Sequence, residues 1–313
     1  MADRWFYLLS HDYRFRGNDA DLALAECLAL TGGVQEETRI VSSGDCTDIS
    51  RAAFTAVGAE EIARAGTLDE LVDRIAGVDL HVPDFHIEIV KIPKSLPEGS
   101  LEIQERVGRV LPGRPDLVHP KSRLIVVRTE AAFRFGRIAS EADTNWRKTP
   151  KLPETYSRSI PDRVARAMVN LVASPGDRIL DPCCGAGTIP IQALQIGIAA
   201  DASDVNLKMV GATNINLSAC GYPAGAKIQD VRSCEGRWDA VVTDLPYGWF
   251  GHEKEAKDCE AILKRVMALA PKIAVATASI EHGALMGEAF ARVESVPLPV
   301  SKKGTRYIHV GRM

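Results

Sequence analysis

Arg178-Ile179-Leu180-Asp181-Pro182-Cys183-Cys184-Gly185-Ala186-Gly187-Thr188-Ile189 is the stretch on which the fold turns. Its apolar start reads as a short strand over 178–180, its glycines as a tight turn, and residues 188–196 as the helix that follows. The alternation continues on both sides. Residues 162–173 place Val164, Ala165, Met168, Val169 and Val172 on one side of a helix. Downstream come a strand over 198–202, a helix over 207–220, strands over 227–229 and 238–243, a helix over 259–270 and a strand over 273–278. Strands alternating with helices predict an α/β domain with a parallel, doubly wound, Rossmann-like sheet over residues 161–313.

Ligands of such sheets bind beyond the carboxyl ends of the strands. Four strand ends here carry acids. The first ends in Asp181 and is followed by Cys183, Gly185 and Gly187. Glycine lets a ligand approach the backbone, and the next helix offers free N–H groups. The second end reaches Asp204-Val205, 23 residues beyond Asp181, where a carboxylate can accept both hydroxyls of a ribose. The third ends in Asp230-Val231, suited to an adenine amino group, and the fourth in Asp244-Leu245-Pro246-Tyr247-Gly248. A dinucleotide site needs a third small residue, but Gly187 is followed by Thr188, Ile189 and Pro190. Asp181 would also repel a pyrophosphate. It suits a cationic cofactor, and S-adenosyl-L-methionine carries a sulfonium, an amino group and no phosphate. Cys183 and Cys184 could form a nucleophile, but their place in the glycine loop favours packing beside the cofactor.

The rest of the 313 residues bounds the setting. A chain 46% hydrophobic and 25% charged is an ordinary globular one, not a rod or a disordered tail. No apolar run is long enough for a membrane span, and Asp3 and Arg4 spoil a leader peptide. Seven scattered cysteines with no C-x-x-C pair predict neither a disulfide framework nor a zinc ribbon. The histidines show no metal-ligand spacing, so no metal is expected, and the compartment reads as reducing and cytoplasmic. The net charge of −3 hides an asymmetry: residues 1–90 carry −10, residues 91–151 carry +6 and residues 152–313 carry +1. The middle block is the part able to face a polyanion. Its Lys121, Arg123, Arg128, Arg134 and Arg137 lie on or beside two strands, over 123–129 and 133–138, that can pair as a hairpin. The alternative reading of that block is a solvated surface. Arg163 and Arg166, one turn apart on the helix entering the second half, are further candidates for RNA contact.

Ahead of these strands the pattern predicts a strand over 5–9, a helix over 19–30 and a short strand over 39–41. A helix over 50–65 stopped by Gly66, a helix over 68–75, a strand over 86–92 and a helix over 101–111 follow. Pro150, Pro153 and Pro161 mark a linker over 146–160.

The fourth strand end indicates the reaction. Asp244-Leu245-Pro246-Tyr247 resembles the (Asn/Asp)-Pro-Pro-Tyr motif of methyltransferases that act on planar amino groups. Such an amine is a poor nucleophile, because its lone pair is delocalised into the ring. The Asp244 side chain and the Leu245 carbonyl can each accept one N–H, turning the lone pair toward the methyl group and stabilising the developing positive charge. Pro246 fixes the turn, and Tyr247 offers a face on which a base can stack. Non-catalytic readings leave Asp244 as a helix cap.

With this motif in place, the chain resembles the archaeal-type tRNA guanosine N2-methyltransferases that act at position ten. Residues 158–170 and Asp181-Pro182-Cys183-Cys184-Gly185-Ala186-Gly187-Thr188 are similar to that family's cofactor region, with Cys183 for its Phe and Ala186 for its Thr. Leu245 replaces the first proline of the motif, which a backbone carbonyl contact tolerates. The resemblance implies a class I methyltransferase domain over 161–313, joined by the linker to an N-terminal α+β RNA-binding region. That region would comprise a ferredoxin-like domain over 1–80 and a THUMP-like domain over 81–145. It implies tRNA as partner, not DNA, and leaves room for a small activating methyltransferase subunit. A fragment beginning near Lys151 is expected to keep cofactor binding and lose the tRNA. The alternatives are methylation of guanine in ribosomal RNA or of another planar amine, or an RNA-binding protein whose methyltransferase fold has decayed.

Overall fold

The computed structural model describes residues 4–10, 19–148, 151–157, 159–245, 253–301 and 304–313. The chain opens with strand β1 (Trp5–Leu9) and helix α1 (Ala20–Thr31). Then come β2 (Val34–Glu37), β3 (Ile40–Ser43), β4 (Thr55–Ala65), α2 (Leu68–Ala76), β5 (Asp84–Ile92) and α3 (Ser100–Val110). Strands β6 (Arg114–Pro115), β7 (Ser122–Thr129) and β8 (Phe133–Glu141) complete this half. The second half runs α4 (Asp162–Val172), β9 (Arg178–Asp181), α5 (Thr188–Gln195), β10 (Ala199–Asp204), α6 (Leu207–Ala219), β11 (Lys227–Ile228) and β12 (Ala240–Asp244). It ends with α7 (Glu253–Met267), β13 (Lys272–Thr277), α8 (Glu281–Met286), β14 (Arg292–Ser301) and β15 (Gly304–Arg312). No helix among the described residues is long and apolar enough to cross a membrane.

Two compact units divide the chain, and they do not follow its order. The first takes described residues within 1–10, 31–50 and 55–142; the second takes those within 11–30, 51–54 and 143–313.

The first unit is built on one eight-stranded sheet in the order β2-β3-β1-β4-β8-β7-β5-β6. Strands from both sides of residue 80, the expected boundary between two small domains, belong to this sheet: β4 pairs antiparallel with β8. The segment expected to be a helix over 50–65 is the strand β4 from Thr55 onward. Its run of Ala and Glu has helical propensity, but both edges are claimed, by β1 on one side and β8 on the other. Tertiary pairing outweighs local propensity here. Leu68, Leu71 and Ile75 of α2 and Ile103 and Val107 of α3 pack on Phe85, Leu124, Val126 and Phe135 to form the core of one face.

The five basic residues singled out on and beside β7 and β8 all find partners inside this unit. Arg134 is 1% exposed and binds three carboxylates: Glu36, Glu37 at 2.9 Å and Glu61 at 2.5 Å. Contact with RNA phosphate is therefore corrected for Arg134, whose guanidinium has no surface to offer. Arg128 donates twice to Glu98, at 3.1 and 2.9 Å, and lies 4.4 Å over the Phe133 ring. Arg123 pairs with Glu88 and Glu141, and Arg137 reaches the His81 carbonyl at 3.5 Å. Lys121 pairs with Asp84 but stays 72% exposed.

In the second unit the sheet order is β11-β10-β9-β12-β13-β15-β14. The first five strands are mutually parallel, as the sequence predicts. The hairpin β14–β15 was not predicted, and β15 enters antiparallel to β13. Pro297 and Pro299 obscure the strand signal, and they are tolerated because β14 is the outermost strand. Helix α4 is buried over all its residues from Arg163 to Val172. That burial corrects a second expectation. Arg163 donates to the Ala53 carbonyl at 2.9 Å and stacks 4.2 Å over Phe54. Arg166 binds Gln192 and Gln195 and lies 4.7 Å over Trp146, and burial lowers its guanidinium to about 10. Neither arginine faces solvent as a phosphate contact requires. Glu26 of α1, fully buried, accepts N–H bonds from Ala53, Phe54 and the Asn170 amide at 2.7–2.8 Å.

Candidate active site

Asp181 closes β9 and is the deepest group of the site, 1% exposed. The Thr243 hydroxyl on neighbouring β12 donates to its Oδ1 at 2.8 Å, and the Cys183 N–H at 3.3 Å. Burial pushes the Asp181 carboxyl up to about 8; the nearby Asp204 and Asp244 push the same way, and the two hydrogen bonds oppose them. The loop then turns through Gly185 at φ +53° and Gly187 at φ +88°. These are left-handed conformations that side chains disfavour, and a Cβ on Gly187 would lie 2.9 Å from the Thr213 methyl. Gly187 shapes the start of α5 rather than lining the site.

Asp204, at the end of β10, clamps this loop. Its Oδ2 accepts the Gly185 N–H at 3.0 Å and its Oδ1 the Asn206 N–H at 2.8 Å. Each oxygen keeps a second lone pair for a ribose hydroxyl. Asp230 is engaged differently from the expectation. Arg232 grips both its oxygens, at 2.6 Å for the closest contact, and holds the carboxyl below its ordinary range. An adenine amino group would have to share Asp230 with that arginine.

Asp244 ends β12, and its Oδ2 lies 3.2 Å from Nη2 of Arg306 on β15. Leu245 is 2% exposed and anchored by its N–H on the Ala276 carbonyl at 3.1 Å. Pro246 and Tyr247, expected to complete the motif, lie outside the described residues. Burial pushes the thiols of Cys183 and Cys184 up, and Asp181 adds to it, which favours the neutral thiol over the thiolate a nucleophile needs.

One cavity of about 850 Å³ gathers Asp181, Cys183, Gly185, Asp204, Val205, Asp230, Val231, Asp244 and Leu245. Every cofactor-site residue expected from sequence except Gly187 lines it. It also takes in Arg306, Met209, Ile262 and, from the segment expected to be a linker, Tyr156, Ser159 and Ile160. Arg306 carried no sequence signal, because the hairpin that bears it was not predicted. Thr243 sits in a predicted strand but gives no sign of its bond to Asp181.

The donor set fits S-adenosyl-L-methionine. A carboxyl raised by burial, with two like-charged neighbours adding to the effect, is stabilised by an incoming cation. The left-handed glycine turn and the Asp204 clamp hold open a backbone cradle of the kind a nucleoside needs.

Residues 153–279 match the UPF0020 family, described as an RMKL-like methyltransferase domain. The chain is 32% identical over 200 residues to the tRNA (guanine(10)-N2)-dimethyltransferase of Methanothermobacter thermautotrophicus, covering 59% of this chain and 58% of that protein. It is 25% identical over 273 residues to the enzyme of the same name from Methanocaldococcus jannaschii, covering 72% and 77% respectively. Among solved structures it is similar to TrmN from Thermus thermophilus, with a TM-score of 0.50 and 20% identity over 99% of this chain and all of that one. At that identity the likeness is one of fold, the class I methyltransferase fold.

Proposed function

We propose, from the match of residues 153–279 to the RMKL-like methyltransferase domain, that this chain transfers a methyl group from S-adenosyl-L-methionine to the exocyclic N2 of a guanosine in tRNA, at position ten. The observation that carries the reading is the convergence of Asp244 and Leu245 on the cavity that also holds Asp181, Gly185 and Asp204. The target-specific part rests on the activity for which the Methanothermobacter and Methanocaldococcus relatives are named.

S-adenosyl-L-methionine supplies a methyl group on a sulfonium. Asp181 and the glycine loop hold the cofactor's cationic end, and Asp204 its ribose. Asp244 accepts one amine N–H, the Leu245 carbonyl the other, and the Asp244 charge offsets the positive charge that grows on nitrogen. The first unit, with its single eight-stranded sheet, takes the place of the expected ferredoxin-like and THUMP-like pair and holds the tRNA. Lys121, Arg123 and Arg137 remain the candidate phosphate contacts; Arg128, expected among them, is only 12% exposed and held by Glu98.

The test is methyl transfer from labelled cofactor to a tRNA transcript and to one carrying inosine at position ten, which lacks the N2 amine. Transfer to the first alone supports the reading; equal transfer to both refutes it. Labelling of ribosomal RNA but not tRNA would favour the rRNA reading. Asp244→Ala should bind cofactor normally and lose roughly 10²–10³ in kcat. A purified chain active unaided removes the activating subunit from the reading.

A further inference from the structure

Arg306 stands beside the reacting group for a reason written in the strand register. Asp244 on β12 lies opposite Ala276 of β13, and Ala276 lies opposite Ile308 of β15. Arg306 is two residues before Ile308 on an antiparallel strand, so it sits past the level of Ala276 on the same face. That is the carboxyl end of the parallel strands, where the cavity opens. Its side chain is 6% exposed and that of Asp244 19%.

The cavity is crowded with acids. Asp181 enters from β9, Asp204 from β10, Asp230 from the turn after β11 and Asp244 from β12, with the thiols of Cys183 and Cys184 and the phenol of Tyr156 alongside. Two cations line it among the described residues, Arg232 and Arg306, and Arg232 grips Asp230. In a poorly hydrated space, clustered carboxylates drive one another toward the protonated form. A protonated Asp244 would offer a hydroxyl where the amine needs an acceptor, and would supply no charge against the developing cation.

We infer that Arg306 is a positioning residue for methyl transfer: its guanidinium keeps the Asp244 carboxylate ionised and turned into the cavity. The inference rests on the methyltransferase reading above. Arg306 does not contact the cofactor in this scheme. Its loss acts on the chemical step through Asp244 and leaves cofactor affinity unchanged.

The experiment is single-turnover methyl transfer to tRNA at saturating cofactor, across roughly pH 5.5 to 9, by wild type, Arg306→Met and Arg306→Lys. Arg306→Met should be about ten- to a hundredfold slower at neutral pH, the loss expected for one charge-assisted hydrogen bond. Its acid limb should move up by about one pH unit, and cofactor Kd should stay within about threefold of wild type. Arg306→Lys, which restores the charge, should recover most of the rate and the original limb. An unmoved acid limb in Arg306→Met overturns the inference, whether the rate is kept or lost, as does failure of Lys to rescue. Arg306→Gln repeats the test should Arg306→Met not fold. A wild type that methylates no tRNA overturns the functional reading instead. The ion pair is then judged by carbon-13 NMR titration of Asp244, which must move upward in Arg306→Met for the inference to stand.

Discussion

Replacing Arg134 by methionine separates two roles that the sequence alone confuses. The side chain is 1% exposed, and its three partners Glu36, Glu37 and Glu61 are themselves only 24%, 12% and 8% exposed. Methionine fills much of the volume but leaves three carboxylates facing one another in a space that water barely reaches. Breaking a buried ion pair from one side costs about 3–5 kcal/mol. Two of these glutamates keep Arg64 as a partner, at 3.0 and 3.2 Å, which keeps the cost toward the lower figure. At about 2–4 °C per kcal/mol, the thermal transition of the first unit should fall by roughly 6–12 °C. Circular dichroism melting and filter binding of tRNA at several salt concentrations measure the two roles independently. A phosphate contact would lower the log–log salt slope by about 0.9 when removed. The expected result is a large fall in melting temperature with an unchanged slope. A transition within 2 °C of wild type, together with a slope reduced by about one, would refute the buried-network account.

Two further outcomes follow from buried titrating groups. Because the Asp181 carboxyl is pushed up to about 8, it binds a proton as pH falls below that value. A cationic cofactor must expel that proton, so affinity by calorimetry should weaken as pH drops from 8 to 6, by up to about tenfold per unit. Asp181→Asn should remove this contribution, and parallel profiles for the two proteins would count against it. His309 accepts from Ser295 at Nδ1 at 2.8 Å and donates from Nε2 to the Ser279 carbonyl at 3.0 Å, and burial lowers it from 6.5 to about 4. The folded state holds it neutral while the unfolded chain takes a proton below 6.5. Its stabilisation is therefore whole above about 6.5 and lost toward 4, up to about 3 kcal/mol. Urea titrations at pH 7 and 4.5 should show a steeper loss for wild type than for His309→Gln; equal losses would count against His309.

The fold of the second unit is legible in the sequence because its signals are local. Asp181, Gly185 and Gly187 lie within one turn of chain, and strand ends announce themselves by the acid that follows an apolar run. The failures share a different cause. Nothing near β4 says that two strands will claim its edges, so its alanines and glutamates read as a helix. The basic residues Arg134, Arg163 and Arg166 read as surface because their partners, Glu36, Phe54 and Gln192, are tens of residues away. Arg306 is invisible for the same reason, since its partner Asp244 lies on a strand two positions across the sheet.

The bond from Asn170 to Glu26 spans 144 residues, and both ends belong to the second unit. During synthesis the glutamate leaves the ribosome first. At about 5–20 residues per second it waits on the order of 10–30 s for its asparagine. Through that interval Leu22, Ala23 and Cys27 of α1, all fully buried in the finished fold, have no completed unit to enter. The first unit, whose strands end at Glu141, can form earlier, but the second unit must assemble around a segment made long before it. A gene split near codon 150 would thus deliver the two halves of one core on separate chains.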